Sequence, residues 1–491
     1  MNKIKFGTSG WRGIIAEDFT FENVRIVTQA IADYLKDTKE SEKGVVVGYD
    51  SRFLGERFAR EAVSILLGNG IKSYLTKGPT PTPVISLEIL RRKAGGAINF
   101  TASHNPPEYN GLKFSSSWGG PALPQTTKDI EKRANEMLGE ITYRELSIED
   151  AIVQGWVEEI DPLPFYLEHI EKKIDMSCIK KAGLKIVADP LYGAGMGYLD
   201  KALESAGCNL KIIHNQRDPS FGGKAPDPSE KNISELIDIV KSGGYNLGLA
   251  TDGDADRFGI VDANGRFIEP NYIIALLLDY LVRVKGMKGG VARSVATTHL
   301  IDAVAEKHNI NVYETPVGFK YIGELIREDK IIIGGEESAG LTIKGHVPEK
   351  DGILACLLVA EMVAREGKTI TELLEDLYKK VGRYVTAREN IKIDMVSMGS
   401  LFGKIKEPSK KALAGLGLDV NDIRIMGGGI RISLANGSWL LMRESGTEPI
   451  VRLYSEARDE EELELIIMAG REFIAIQNSP VGELYSEGRQ K

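Results

Sequence analysis

The segment Thr101-Ala102-Ser103-His104-Asn105-Pro106-Pro107, continued by Glu108-Tyr109-Asn110-Gly111-Leu112-Lys113, holds side chains that could carry a reaction. A hydroxyl beside an imidazole can serve as a nucleophile or as the carrier of a phosphoryl group. The proline pair and Asn110-Gly111 impose an irregular backbone, which an exposed reactive loop needs. Lys113 could reach back to neutralise phosphate. A Ser-His pair without a third group is also what a plain surface turn offers, so the pair alone leaves both readings open. A second loop, Asp252-Gly253-Asp254-Ala255-Asp256-Arg257, places a carboxylate at every second residue. In extended backbone such side chains share one side. Anions that close repel one another unless a cation sits among them, and hard oxygen ligands suit Mg²⁺ or Ca²⁺. A calcium loop needs Gly at its sixth position and Glu at its twelfth, where this chain has Arg257 and Ala263. Mg²⁺ commonly takes a ligand from a phosphate, and three Asp leave room for a phosphoserine oxygen. The alternative is an acidic, solvated turn.

Other segments are weaker taken singly. Glu336-Glu337-Ser338 is a carboxylate-rich loop that could hold sugar hydroxyls, or simply a helix start with Glu in its first turn. Arg443-Glu444-Ser445-Gly446-Thr447, with Arg452 after it, offers a guanidinium, hydroxyls and a glycine that lets backbone amides approach an anion. Lys320, His346 and Lys350 are basic residues beside loops. Gly7-Thr8-Ser9-Gly10-Trp11-Arg12-Gly13 is Gly-rich but lacks the Gly-Lys-Ser/Thr ending of a nucleotide loop, and Gly193-Ala194-Gly195-Met196-Gly197 does not fit a dinucleotide fingerprint.

The elements that must position these loops follow a threefold rhythm. Short Val- and Ile-rich runs closed by Gly, Asp or Pro read as strands, alternating with helical patterns such as Glu22 to Leu35. The first unit has Val45–Tyr49, Lys72–Thr76 and Ala97–Phe100. The second has Lys185–Asp189, Leu210–Ile213 and Leu247–Ala250. The third has Val291–Ala296, Asn311–Tyr313 and Ile331–Ile333. Each third strand runs into one of the polar loops at 101–105, 251–257 and 334–340, and ligands of open α/β sheets sit at such carboxyl ends. After about residue 385 the pattern changes to alternating strands, a hairpin around Ala435-Asn436-Gly437-Ser438, and a helix from Glu460 to Ile476. The expected division is 1–150, 151–260, 261–380 and 381–491.

A chain of 491 residues with 42% apolar content can fill several cores. Its net charge of -8 speaks against a general nucleic-acid binder. Three scattered cysteines, Cys178, Cys208 and Cys356, fit a reducing compartment better than a disulfide framework. The N-terminal residues show no apolar signal region and no stretch reaches membrane-spanning length, so the expectation is a cytoplasmic protein without membrane partners.

Taken together and in this order, the motifs resemble the α-D-phosphohexomutase superfamily over nearly the whole chain. Thr101–Lys113 is similar to its phosphoserine loop, Asp252–Arg257 to its magnesium loop, and Gly335–Ser338 to its sugar-recognition loop. Arg443–Thr447 is similar to its phosphate-binding loop and Gly7–Gly13 to its N-terminal signature. The resemblance implies three topologically similar α/β domains around a cleft, plus a smaller C-terminal α+β domain that hinges to exclude water. It implies that Ser103 carries the phosphoryl group and, with Asp252, Asp254 and Asp256, holds Mg²⁺. His104 or Lys113 would be the general acid/base, with Arg12 and Arg257 beside them. Thr8, Ser9, Lys320, Glu336, Ser338, His346, Lys350, Arg443, Ser445, Gly446, Thr447 and Arg452 would bind a hexose phosphate. Glucose 1,6-bisphosphate would be intermediate and activator, and the protein a monomer or homodimer. Gly340 stands where bifunctional mannose/glucose enzymes carry His, and His346–Gly352 resembles a glucomutase loop that binds substrate phosphate. The expected reaction is therefore interconversion of glucose 1-phosphate and glucose 6-phosphate, with mannose and glucosamine phosphates as alternatives. A metal-dependent sugar phosphatase and a non-catalytic sugar-phosphate sensor are the rivals from other classes.

Overall fold

In a computed structural model the described residues are 3–7, 10–139, 143–393, 418–426, 429–444 and 450–478. The first sheet runs in the order Phe6–Gly7, Gly10–Ile14, Tyr109–Ser116, Gly96–Phe100, Val45–Tyr49, Ser73–Thr76, Val157–Ile160. Val45–Tyr49 and Gly96–Phe100 are parallel and buried along their whole length, as continuous apolar runs covered on both faces must be. The helix Phe21–Asp37 starts where the sequence periodicity places it. Thr20 caps it by accepting the Asn23 N–H. Its buried stripe of Val24, Val27, Ile31 and Leu35 enters the core with Phe58, Ile98 and Phe100. Truncating a fully buried side chain such as Ile31 to Ala costs about 2–5 kcal/mol.

The second sheet has the order Phe267–Ile268, Phe258–Asp262, Leu247–Thr251, Lys185–Asp189, Asn209–Ile212. The third has Val312–Thr315, Gly290–Ser294, Ile331–Glu336, Gly340–Ile343. All three sheets share one order: return strand, third strand, first strand, second strand. The first, second and third strands of each unit are mutually parallel. The fourth, Tyr109–Ser116, Phe258–Asp262 or Gly340–Ile343, folds back antiparallel on the third. Each polar loop is thus the tip of a β-hairpin, an antiparallel return that strands alternating with helices do not announce. The third strand of the third unit also continues through Glu336, so Gly334-Gly335-Glu336 are strand residues, not loop.

Two expected boundaries fall early. Val157–Ile160 pairs with Ser73–Thr76 in the first sheet and Phe267–Ile268 with Phe258–Asp262 in the second, so 150 and 260 cut off edge strands. With two glutamates inside four residues, Val157–Ile160 has no apolar run to announce it. The three sheets lie in one compact unit, residues 1–297 with 304–376. A second unit, holding residues 377–491, contains the antiparallel sheet Val385–Lys392, Ile450–Ala457, Trp439–Glu444, Gly429–Leu434, Val420–Met426, and the helix Glu460–Asn478. Its core includes Ile432, Leu440, Met442, Val451, Leu453 and Ile466. Among the described residues no helix is long and apolar enough to cross a membrane.

Candidate active site

The hairpin tips of the first two units meet. Ser103 sits three residues past its strand in left-handed backbone, φ 53°, with its N–H donating to Thr101 Oγ1 at 2.8 Å. Its Oγ donates to Asp252 Oδ2 at 2.8 Å and lies 3.3 Å from His104 Nδ1. The aspartate loop is not extended, as the alternating spacing suggests. It is a tight turn in which Ala255 takes φ 56° and its N–H bonds the Asp252 carbonyl at 3.0 Å. The turn gathers one carboxylate oxygen from each of Asp252, Asp254 and Asp256 within 4.8 Å of one another, all three side chains buried. Ala339 in the third tip is also left-handed, φ 70°, and its carbonyl accepts the Phe258 N–H at 3.1 Å. A non-glycine residue in this region costs about 1–2 kcal/mol, and one in each tip is the strain expected of a functional loop.

The carboxylates fit a hard cation. Asp252 Oδ1 accepts the Asp256 and Arg257 N–H groups at 2.9 and 3.0 Å, but Asp254 Oδ1 and Asp256 Oδ1 are buried without a hydrogen-bond partner. Unpaired buried carboxylate oxygens are costly unless a cation takes them. Burial, then the other two aspartates, push the Asp252 carboxyl well above its usual range. Basic groups balance the remaining charge. Lys113 Nζ bonds Asp254 Oδ2 at 2.5 Å and Asp256 Oδ2 at 3.0 Å, and Lys350 Nζ bonds Asp256 Oδ2 at 2.8 Å. Burial works against both ammonium groups, yet Asp254 and Asp256 hold Lys113, and Asp256 holds Lys350, above their usual values. Thr82, at the start of the helix Thr82–Arg92, donates Oγ1 to Asp254 Oδ2 and its N–H to the Asp254 carbonyl.

Other expected residues surround this centre. Arg12 donates to Asn105 Oδ1 at 2.5 Å, and burial followed by nearby Arg257 lowers its guanidinium to about 10. Arg257 faces Asp227 at 3.6 Å. Burial, then Arg257 and Arg12, push His104 well below the ordinary imidazole value. Lys320, lowered by burial, lines a pocket with Lys113, Glu349 and Lys350. Glu336 is buried and accepts the Gly318 N–H at 2.7 Å, and burial, then Glu337, raise it to about 7. Ser338 is half-buried at the third tip.

His346 does not join them. It is fully enclosed, with Nε2 2.9 Å from Asp351 Oδ2 and Nδ1 3.0 Å from His169 Nε2. Asp351 also accepts from Tyr166 at 2.8 Å and caps the helix Gly352–Glu366. The expected substrate contact is thus a buried polar cluster, because only Lys350 of that basic loop points to the aspartates. In the second unit Arg443 and Arg452 stand directly opposite on paired strands. Like charges so placed repel. Thr8, Ser9, Ser445, Gly446 and Thr447 lie outside the described residues. Thr82, Glu349 and Arg52 are absent from the sequence-based candidates. Arg52 could have been found: Asp50-Ser51-Arg52 is a polar run at the carboxyl end of an apolar strand, the same signal that marks the three loops.

Four family models match the chain: phosphoglucomutase/phosphomannomutase alpha/beta/alpha domain I over residues 3–138, domain II over 164–265, domain III over 269–381, and the C-terminal domain over 404–472. The chain is 33% identical over 465 residues to a phosphoglucomutase/phosphomannomutase of Thermococcus kodakarensis, covering 93% of this chain and 95% of that one. It is 29% identical over 469 residues to a phosphoglucosamine/phosphogalactosamine mutase of Sulfurisphaera tokodaii, covering 93% and 95%. The fold matches the open form of parafusin, a phosphoglucomutase from Paramecium, at TM-score 0.81 and 24% identity over 97% of this chain and 96% of that one. The chain belongs to the α-D-phosphohexomutase superfamily and is an enzyme of the mutase class within the isomerases.

Proposed function

We propose that this enzyme interconverts glucose 1-phosphate and glucose 6-phosphate, with Ser103 carrying the phosphoryl group between turnovers and glucose 1,6-bisphosphate as intermediate. The observation that carries the reading is Ser103 Oγ at 2.8 Å from Asp252, inside a buried triplet of aspartates with unpaired oxygens. Asp252, Asp254, Asp256 and the oxygen on Ser103 would hold Mg²⁺, which when bound supplies positive charge that favours a phosphoryl group in flight. The free sugar hydroxyl takes the phosphoryl group from Ser103, and the bond to Oγ breaks. After the bisphosphate turns over, Ser103 Oγ takes the other phosphoryl group. Proton transfer falls to His104, whose Nδ1 is 3.3 Å from Oγ. Lys113 is committed to two carboxylates and contributes charge. Arg12, Arg257, Lys320 and Lys350 favour the phosphates, and Glu336 and Ser338 read the sugar hydroxyls. Arg443 and Arg452, with Ser445, Gly446 and Thr447, take the non-reacting phosphate, and Thr8 and Ser9 contribute to substrate binding.

Glucose is preferred to mannose because Gly340 leaves no imidazole at the third tip. The relatives' names span glucose, mannose and glucosamine phosphates, so the test compares turnover of the three sugar 1-phosphates with Mg²⁺ and a trace of bisphosphate. Fastest conversion of glucose 1-phosphate supports the reading, and a faster rate on either rival overturns the substrate choice. Stoichiometric release of inorganic phosphate would instead indicate a phosphatase.

A further inference from the structure

Arg52 is buried with none of its side chain accessible, yet it touches neither the aspartates nor any residue assigned above to substrate. Its donors are spent on the main chain of one loop. Nη1 donates to the carbonyls of Pro106 at 2.8 Å and Tyr109 at 2.9 Å, and Nη2 to those of Ser103 at 2.7 Å and Asn105 at 2.6 Å. Its Nε edge faces Asp50 Oδ2 at 3.2 Å, and its own N–H returns to Asp50 Oδ1 at 2.9 Å. The ring of Phe221, from the second α/β unit, covers the guanidinium 4.9 Å from its centroid.

Four carbonyls that point inward from one short loop repel one another, and irregular backbone of this kind has no ladder to satisfy it. A planar guanidinium with fixed donors satisfies all four at once, while an ammonium has three donors and no plane. One of the four carbonyls is that of Ser103, whose backbone is held at φ 53°. That carbonyl is held from a second side, since a Cβ on Gly253 of the aspartate loop would come within 2.4 Å of it. Fixing this peptide fixes the direction of the Ser103 side chain, and hence the 2.8 Å approach of Oγ to Asp252.

We infer that Arg52 is a positioning residue for phosphoryl transfer: it shapes the 103–109 main chain so that Ser103 Oγ stands at the aspartate triplet. The inference rests on the reading of Ser103 as the carrier. Three measurements on wild type and Arg52→Lys test it: kcat and KM for glucose 1-phosphate, the rate at which glucose 1,6-bisphosphate phosphorylates the protein by intact mass, and backbone hydrogen exchange. The expected result for Arg52→Lys is a fall of about 100-fold in kcat and in the phosphorylation rate, as for a reacting group displaced by about 1 Å. KM should stay within about twofold, and exchange should accelerate over residues 103–110 but not in the strand Val45–Tyr49. If Arg52→Lys does not fold, Asp50→Asn/Arg52→Gln removes the buried pair as a unit and leaves no lone charge. The same pattern is expected of it. Wild-type labelling with unchanged rates in the variant overturns the role of Arg52 alone. So does exchange that rises throughout the domain with kcat intact, which is what a merely structural arginine would give. A wild type that takes no phosphoryl group overturns the Ser103 reading and this inference with it.

Discussion

Replacing Thr82 by valine removes one hydroxyl and little volume, and the structure indicates what should follow. Thr82 Oγ1 donates to Asp254 Oδ2 and accepts from Asn99 Nδ2 at 2.9 Å, and all three side chains are buried. A hydrogen bond to a charged group contributes about 1.5–3 kcal/mol, and an amide left without its acceptor costs about 1–3 kcal/mol more. The Thr82 N–H to the Asp254 carbonyl, 2.9 Å, survives the change, so the loop should keep its place while one carboxylate loses its orienting partner. Partners that orient a ligand in this way are worth about 10–100-fold in metal affinity. Thr82→Val should therefore bind Mg²⁺ about 10–100-fold more weakly by calorimetry, and Mg²⁺ should raise its melting temperature less than it raises that of wild type. Equal affinities, or equal Mg²⁺-dependent stabilisation, would refute the reasoning that Thr82 orients a cation ligand.

Glu336 gives a pH signature: its carboxyl is raised from an ordinary 4.5 to about 7, so the folded state favours its protonated form. The stability this contributes is fully present below about 4.5 and is lost as pH rises through about 7. Glu336→Gln, which keeps an oxygen for the Gly318 N–H, should gain on wild type across that window by on the order of 3 kcal/mol in urea melts, then hold level. His346→Ala should lower stability by about 1–3 kcal/mol, because it strips one partner from buried Asp351, while KM for the sugar phosphate stays unchanged. A changed KM with unaltered melting would return His346 to the substrate site. Gly253→Ala places a Cβ 2.4 Å from the Ser103 carbonyl oxygen, a backbone atom held by Arg52, and should cost about 1–3 kcal/mol in the same melts.

The first and third strands of each α/β unit were legible because Val, Ile and Leu runs such as Val45-Val46-Val47 have to be buried on both faces. The loops were legible because Ser103-His104 and the aspartate triplet interrupt those runs with charge. The return strands were not. Tyr109–Ser116 carries Asn110, Gly111 and Lys113 through a buried position, which contradicts the apolar pattern and is tolerated because Lys113 ends on Asp254 and Asp256. Sites where local rules fail in this way tend to be functional. His346 misled for the opposite reason: a histidine in Gly345-His346-Val347-Pro348 reads as an exposed loop residue, and only the tertiary fold brings His169 to it and encloses it beside Asp351. Arg52 was within reach of the sequence, since Asp50-Ser51-Arg52 closes an apolar strand, but its role was not, because its partners are main-chain carbonyls that no side-chain pattern records.

The most direct test is anomalous diffraction from crystals soaked in Mn²⁺ as a stand-in for Mg²⁺. One peak is expected at about 2.0–2.2 Å from an oxygen of each of Asp252, Asp254 and Asp256, with Ser103 Oγ or a phosphoryl oxygen on it completing the set. A clear peak elsewhere with nothing among these residues, or a cation there that leaves Ser103 out of reach, would contradict it.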